Sequence, residues 1–361
     1  MERISAIVAP LCTWYRHHAR ALPWRENPTP YHIWLSEVML QQTRIEAVKP
    51  YYARFLTEAP TVSALAALSD ERLMKLWEGL GYYSRARNLK RAAQVICEKH
   101  GGALPADYDE LLALPGIGEY TAGAIASIAF GLPRPAVDGN VLRVMTRLLG
   151  DESDILLPQT KKGMTHMLAE AYRAAEDPAS LTQGLMELGE VVCMPNRAPL
   201  CEACPLSAFC RARADGSWDH IPYRAPKKAR RIVHKLVLIL HDGQGRYAIR
   251  RRPEEGLLSG LWELPQMDLL PEIAEGEDGA LDELVYAFCR EHGLIPEESA
   301  SAPDAKHIFT HLEWHMRGRY VNVRREQEAS GDLVFVTAGE LRSIYALPTA
   351  FHAYARLLYH E

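Results

Sequence analysis

Three groups of residues in this chain have types and spacings that could do chemistry. The first lies in residues 114–141, LPGIGEYTAGAIASIAFGLPRPAVDGNV. Leu114, Pro115, Gly116, Ile117 and Gly118 make a tight, glycine-dependent turn, and the small apolar run 120–130 reads as the helix it opens. Bare N–H groups at such a turn suit one phosphate oxygen. A lone carboxylate, Asp138, follows in the loop PAVDGN, between Pro135 and Gly139. The second group centres on Glu37 in WLSEVMLQQT. Flanked by Trp34, Leu35, Val38 and Met39, this carboxylate stands either at the polar edge of a helix or in a cleft that raises its pKa. The third is Cys193-x7-Cys201-x2-Cys204-x5-Cys210. Four thiolates so close in sequence can enclose one metal centre. Zinc is one reading, although a four-cysteine zinc site usually pairs two C-x2-C knuckles and only one is present.

LPGIG, followed by a Gly/Pro-rich loop and Asp138, resembles the helix-hairpin-helix–GPD superfamily of DNA base-excision glycosylases. Within it the match is to the MutY-type adenine DNA glycosylases. The resemblance covers residues 14–210 and, more weakly, the C-terminal third. WLSEVMLQQT is similar to the family's catalytic-acid segment, which makes Glu37 the general acid delivering a proton to adenine N7 and Asp138 the carboxylate facing the sugar's developing positive charge. The resemblance places Tyr120 beside these two carboxylates and has Asn140 orient Asp138 or the water. It implies an adenine pocket of Arg20, Trp24, Arg25, Ile45 and Glu187. Gln42 and Tyr82 would wedge into the duplex vacated by the flipped base. Leu40, Gln41 and Thr43 would border the same site. In GLGYYSRARNL, Arg85 and Arg87 beside two tyrosines suit phosphate pairing, or else are surface arginines of a helix–helix connection; the turn glycines Gly116 and Gly118 would meet the DNA backbone. In HIFTHLEW, Phe309, Thr310 and His311 match the loop by which the family senses 8-oxoguanine; the family often has serine where this chain has Thr310. Cys193, Cys201, Cys204 and Cys210 would hold a [4Fe–4S] cluster, with Arg197, Arg211 and Arg213 as nearby phosphate contacts. The family normally has six residues in the first cysteine gap and this chain has seven, a departure that leaves zinc as the alternative. The resemblance also allows a monovalent cation at the hairpin turn.

Tyr120 separates two activities. Endonuclease III-like glycosylase/AP lyases, the alternative reading, have a lysine there that forms a Schiff base. LPGIGEYTAG has none, so a monofunctional glycosylase is expected. The partner implied is double-stranded DNA containing A:8-oxoG or A:G mispairs. A non-catalytic iron–sulfur DNA-binding protein is the competing reading from another class, and Glu37 and Asp138 in their contexts argue against it.

The elements that must position these residues follow from periodicity and punctuation. Helices are expected over 4–18, 31–45 (Thr29 as N-cap, Pro30 in the first turn), 48–58, 70–77, 85–100, 111–114, 120–130, 141–149, 160–174 and 181–192. No strand pattern precedes residue 230. Residues 1–213 therefore read as an all-α glycosylase region ending in the cysteine loop, and 214–231 as a polar, basic linker. Residues 232–361 read as an α+β module: strands over 234–240, 246–252, 307–315, 316–324 and 334–336, a helix over 281–292, and a capping box at Thr337–Glu340. This module resembles a degenerate MutT/Nudix domain. Aligned on Gly293, it puts Tyr286, Ala287 and Arg290 where Arg, Glu and Glu would gather magnesium; only Glu291 remains. Nucleotide pyrophosphate hydrolysis is not expected.

Composition bounds the rest. The chain has 361 residues, 48% hydrophobic and 24% charged, enough for two or three ordinary globular domains. The net charge is −5, so any DNA surface must be a local patch. Seven cysteines, four of them clustered, do not make a disulfide scaffold. No signal peptide or membrane span is read, and a cytoplasmic monomer is expected.

Overall fold

The computed structural model describes residues 2–226, 229–325 and 331–359. The chain divides into two compact units, one of Met1–Leu68 with Arg87–Lys227, the other of Ser69–Ala86 with Lys228–Glu361. Residues 69–86, read from sequence as part of the helical region, thus group with the C-terminal module. Among the described residues, no helix is long and apolar enough to cross a membrane.

The first unit is helical, as its 3.6-residue periodicity requires. Val8–His18, Gly139–Leu149, Pro158–Ala174 and Pro178–Val191 meet in one core, where Leu11, Val141, Met145, Leu148, Leu168, Tyr172, Leu185 and Leu188 are buried together. Side-chain caps set helix starts: Pro30–Leu40 begins where the sequence puts it, whereas Tyr108–Leu112 begins three residues ahead of the expected residue 111. Thr29 Oγ1 accepts from the His32 N–H at 3.3 Å ahead of Pro30, and Asp107 accepts from the Asp109 and Glu110 N–H groups. Pro30–Leu40 stops short of the expected residue 45. Gln41 leaves helical geometry, Gln42 takes a left-handed φ of 57°, and Ile45–Glu58 begins a new helix. Nothing in local propensity requires that break; the Gln41 amide is held instead by a hydrogen bond to Thr121 Oγ1 at 3.1 Å. The supposed linker is also structured. Arg211–Asp215 is a helical turn, the Ile155 N–H donates to the Tyr223 carbonyl, and the Ala225 N–H to Asp154, so residues up to 225 pack on the helical unit.

The second unit is built on a seven-stranded sheet: β1 Arg231–His241, β2 Arg246–Arg251, β3 Trp262–Glu263, β4 Gln266–Leu269, β5 Leu294–Ile308, β6 Leu312–Arg325 and β7 Leu333–Thr337. The order is β3-β2-β1-β6-β5, with β4 also on β1 and β7 also on β2. β1 and β6 run parallel, Arg231 opposite Leu312 through His241 opposite Asn322. Alternate side chains of β1 leave on opposite faces. Leu236, Leu238 and Leu240 pack on Leu281, Val285 and Cys289 of the helix Asp278–Glu291, whereas Val237 and Ile239 pack on Leu347, Phe351 and Tyr354. The strands read over 307–315 and 316–324 need correcting. They are one hairpin whose first arm begins at Leu294, and Phe309–Thr310–His311 is its turn, closed by the Phe309 N–H donating to the Leu312 carbonyl at 2.9 Å.

Candidate active site and cysteine cavity

In the helical unit, one cavity of about 810 Å³ collects most of the predicted residues. Glu37, Tyr120, Asp138 and Asn140 line it, as do Arg20, Trp24, Arg25, Ile45 and Glu187; Gln42 and Thr43 border it too. Two helices bring the acids together. Glu37 is the eighth residue of Pro30–Leu40, and Tyr120 is on the first turn of Glu119–Phe130, where the Tyr120 hydroxyl donates to Glu37 Oε2 at 2.5 Å. Glu37 is 7% exposed. Burial raises its pKa to about 7, with the Asp138 charge adding and the Tyr120 hydrogen bond and Arg25 opposing. The cleft reading of Glu37, not the solvated edge, is the one found.

Asp138 is the N-cap of Gly139–Leu149, its Oδ1 accepting from the Val141 N–H at 2.7 Å. The sequence reading started this helix at 141 and missed the cap, although Asp-Gly-Asn before an apolar run is a usable signal. Asn140 Nδ2 donates to Asp138 Oδ2 and to Glu190 Oε1, both at 3.0 Å. Arg143, one turn on, was also missed. It donates to Asn140 Oδ1 at 2.7 Å, the Gly189 carbonyl at 2.7 Å and the Cys193 carbonyl at 2.8 Å. Burial raises the Asp138 pKa, while the Val141 N–H, Arg143 and Asn140 pull it down. Two carboxylates thus face one cavity under different control: Glu37 is favoured as the neutral acid, and Asp138 has donors that favour its anion.

Gly123 explains how the Asp138 loop comes so close. A Cβ there would lie 2.2 Å from the Pro135 carbonyl oxygen, so only glycine lets the helix Glu119–Phe130 touch this backbone. At the hairpin turn Gly116 has φ 74°, and a Cβ would meet Asn88; Gly118 is the exposed N-cap residue. Glu187, buried in the cavity wall, accepts from Arg20 Nε at 2.6 Å and Arg25 Nη2 at 2.9 Å. Against the cost of its burial, these bonds hold its carboxyl below the ordinary range.

In the second unit, Tyr82 sits at the tip of the GLGYY loop with φ 48°, 46% exposed. Its hydroxyl is 2.8 Å from Thr310 Oγ1 in the hairpin turn, so two residues 228 apart in sequence meet. Phe309 packs edge-on against His307 and Trp314. His311 is exposed. Arg85, expected to face phosphates, is instead buried and donates to the Leu80 and Gly81 carbonyls at 3.0 and 3.1 Å; it shapes the loop. Arg87, half-buried, begins the next turn of Ser84–His100.

Cys193, Cys201, Cys204 and Cys210 are free thiols that line one small cavity of about 30 Å³ with Arg147. Among the described residues, no three His, Cys, Asp or Glu side chains converge on a single-ion site. Burial pushes the Cys204 thiol up to about 12, with the other three cysteines adding. Four soft donors around one space fit a sulfur-bound metal centre.

Residues 35–173 match the model of the HhH-GPD superfamily base excision DNA repair protein, and residues 236–357 the NUDIX domain model. An adenine DNA glycosylase of Homo sapiens is 36% identical, over 87% of this chain and 66% of its own length; that of Mus musculus is 33% identical, over 86% and 69%. The adenine DNA glycosylase of Buchnera aphidicola subsp. Acyrthosiphon pisum (strain APS) is 31% identical, over 70% and 72%. The chain belongs to the adenine DNA glycosylase family. It spans about two thirds of the length of the animal members it matches. The helical fold of the family extends to a solved thermostable thymine-DNA glycosylase (27% identity, TM-score 0.53, 59% of this chain and 98% of that one). It also extends to a non-covalent endonuclease III–DNA complex (25% identity, TM-score 0.50, 60% and 97%).

Proposed function

We propose that this protein is a monofunctional base-excision repair enzyme. It hydrolyses the N-glycosidic bond of adenine mispaired with 8-oxoguanine or guanine in duplex DNA, acting as a cytoplasmic monomer. The observation that carries the reading is the Tyr120-bonded Glu37, with a pKa of about 7, in one cavity with Asp138. Adenine is a poor leaving group, and the flipped base leaves as its N7 takes the Glu37 proton. Positive charge then builds on the sugar, and the Asp138 carboxylate, aimed by the Val141 N–H and Asn140, stabilises it until water adds. Trp24 and Ile45 supply apolar wall for the purine, and Arg25 and Glu187 its polar edge. Gln41, Gln42, Thr43, Gly116, Gly118 and Arg87 border the DNA path on the helical side. Tyr82, Phe309, Thr310 and His311 read the opposite base, and the Tyr82–Thr310 hydroxyl bond supports their joint action.

The four cysteines would hold a [4Fe–4S] cluster, with zinc the alternative; that all four line one cavity supports a shared metal centre. When bound, it would brace the loop 193–210 and take no part in bond cleavage. The test is single-turnover release of free adenine from A:8-oxoG, A:G and T:8-oxoG duplexes. Adenine should appear from the first two only, and no borohydride-trapped adduct should form. Retained activity in both Glu37→Gln and Asp138→Asn would overturn the assignment.

A further inference from the structure

Among the described residues, Arg147 is a buried cation with no carboxylate partner. Its side chain is on Gly139–Leu149, two turns beyond Asn140, and the residue is 6% exposed. Nε donates to the Ile221 carbonyl at 2.7 Å, and Nη1 to the Met194 carbonyl at 3.2 Å and to Cys193 Sγ at 3.3 Å. Its other neighbours deepen the problem. Arg143, one turn earlier and also buried, bonds only neutral acceptors and is itself a like charge. Arg213 lies at the cysteine loop but is paired outward, with Glu202. A guanidinium out of water and unpaired is strongly disfavoured, so a fold that keeps it needs a compensating anion. Every other named acceptor being neutral, the anion must come from the sulfur side, where Cys193, Cys201, Cys204 and Cys210 surround the cavity that Arg147 also lines.

We propose that the anionic, thiolate-bound metal centre is the counter-ion of Arg147, and that Arg147 in turn sets how firmly the centre is held and how readily it is reduced. This rests on the cluster reading above. Iron–sulfur centres on four thiolates are net negative, and a hydrogen bond or positive charge at a ligand sulfur favours the more negative, reduced form. Arg147 also ties Cys193 to Ile221, on either side of the cysteine loop, so one side chain both neutralises the centre and closes the loop around it.

The test compares the intact wild-type protein with Arg147→Met and Arg147→Lys. Iron and acid-labile sulfide are measured first. Wild-type protein without iron and sulfide sinks the cluster reading, and this inference with it. In iron-loaded protein, the midpoint potential is read on a DNA-coated electrode, cluster loss is followed near 400 nm under an iron chelator, and thermal unfolding is recorded before and after cluster removal. Arg147→Met is expected to shift the potential negative and to lose cluster about tenfold faster, the usual scale for support of a metal ligand. It is also expected to narrow the gap in unfolding temperature between loaded and stripped protein, because stripping leaves no buried charge uncompensated in the variant. Arg147→Lys keeps the charge but not the planar fork, so its potential should fall between the two; it carries the test if the methionine variant does not fold. A potential and a loaded-to-stripped gap unchanged from wild type in the variants would make Arg147 a bolt between loop ends and nothing more.

Discussion

Replacing Glu37 by glutamine removes a charge while keeping a shape, and this should make the protein both inert and more stable. Glu37 is buried, and its pKa rises from 4.5 in an exposed chain to about 7. Below pH 4.5 the acid is neutral in both folded and unfolded protein. Between pH 4.5 and 7 the unfolded chain gives up the proton first, so folding stability is lost as pH rises through this window and stays low above it. Each pKa unit is worth about 1.4 kcal/mol, so ionised Glu37 costs the fold about 3 kcal/mol at pH 8. Glutamine cannot ionise, and its amide oxygen can still accept from the Tyr120 hydroxyl. Urea denaturation should therefore show Glu37→Gln close to wild type at pH 4.5 and about 3 kcal/mol more stable at pH 8, with adenine release abolished at both. In the wild type, single-turnover adenine release should fall as pH rises through about 7, as the acid loses its proton. A variant equally or less stable than wild type at pH 8 would refute the reasoning, since Glu37 would then carry no burial penalty.

Three further outcomes follow from the same geometry. Tyr120→Phe removes a hydrogen bond that favours ionised Glu37, so the alkaline fall in adenine release should move to higher pH; an unmoved profile would detach Tyr120 from the acid. Gly123→Ala puts a methyl against the Pro135 carbonyl and must displace the Asp138 loop. Its single-turnover rate should fall about tenfold or more while DNA affinity, read by gel shift, stays near wild type. Thr310→Val keeps the shape but loses the hydroxyl bond to Tyr82, worth about 1 kcal/mol. The preference for A:8-oxoG over A:G should narrow about fivefold in parallel single-turnover assays, and an unchanged preference would separate that bond from base discrimination.

Sequence alone determined the elements whose information is local. The Thr29 cap, the glycine turn at 116–118 and the capping box at Thr337 each act over three or four residues, and the structure has them where the pattern puts them. The type and spacing of Glu37, Asp138 and the cysteines were equally legible, because chemistry restricts which residues can serve. Tertiary structure decided what depends on partners distant in the chain. Glu37 becomes a strong candidate acid only because burial and Tyr120, 83 residues away, set its pKa. Gln42 leaves its helix at a break that no propensity marks. Arg85 turns inward to hold a loop, whereas Arg143 and Arg147 tie one helix to the cysteine loop some 50 residues on. Desolvation and hydrogen bonding depend on all that surrounds a group, and a linear pattern records only its neighbours along the chain.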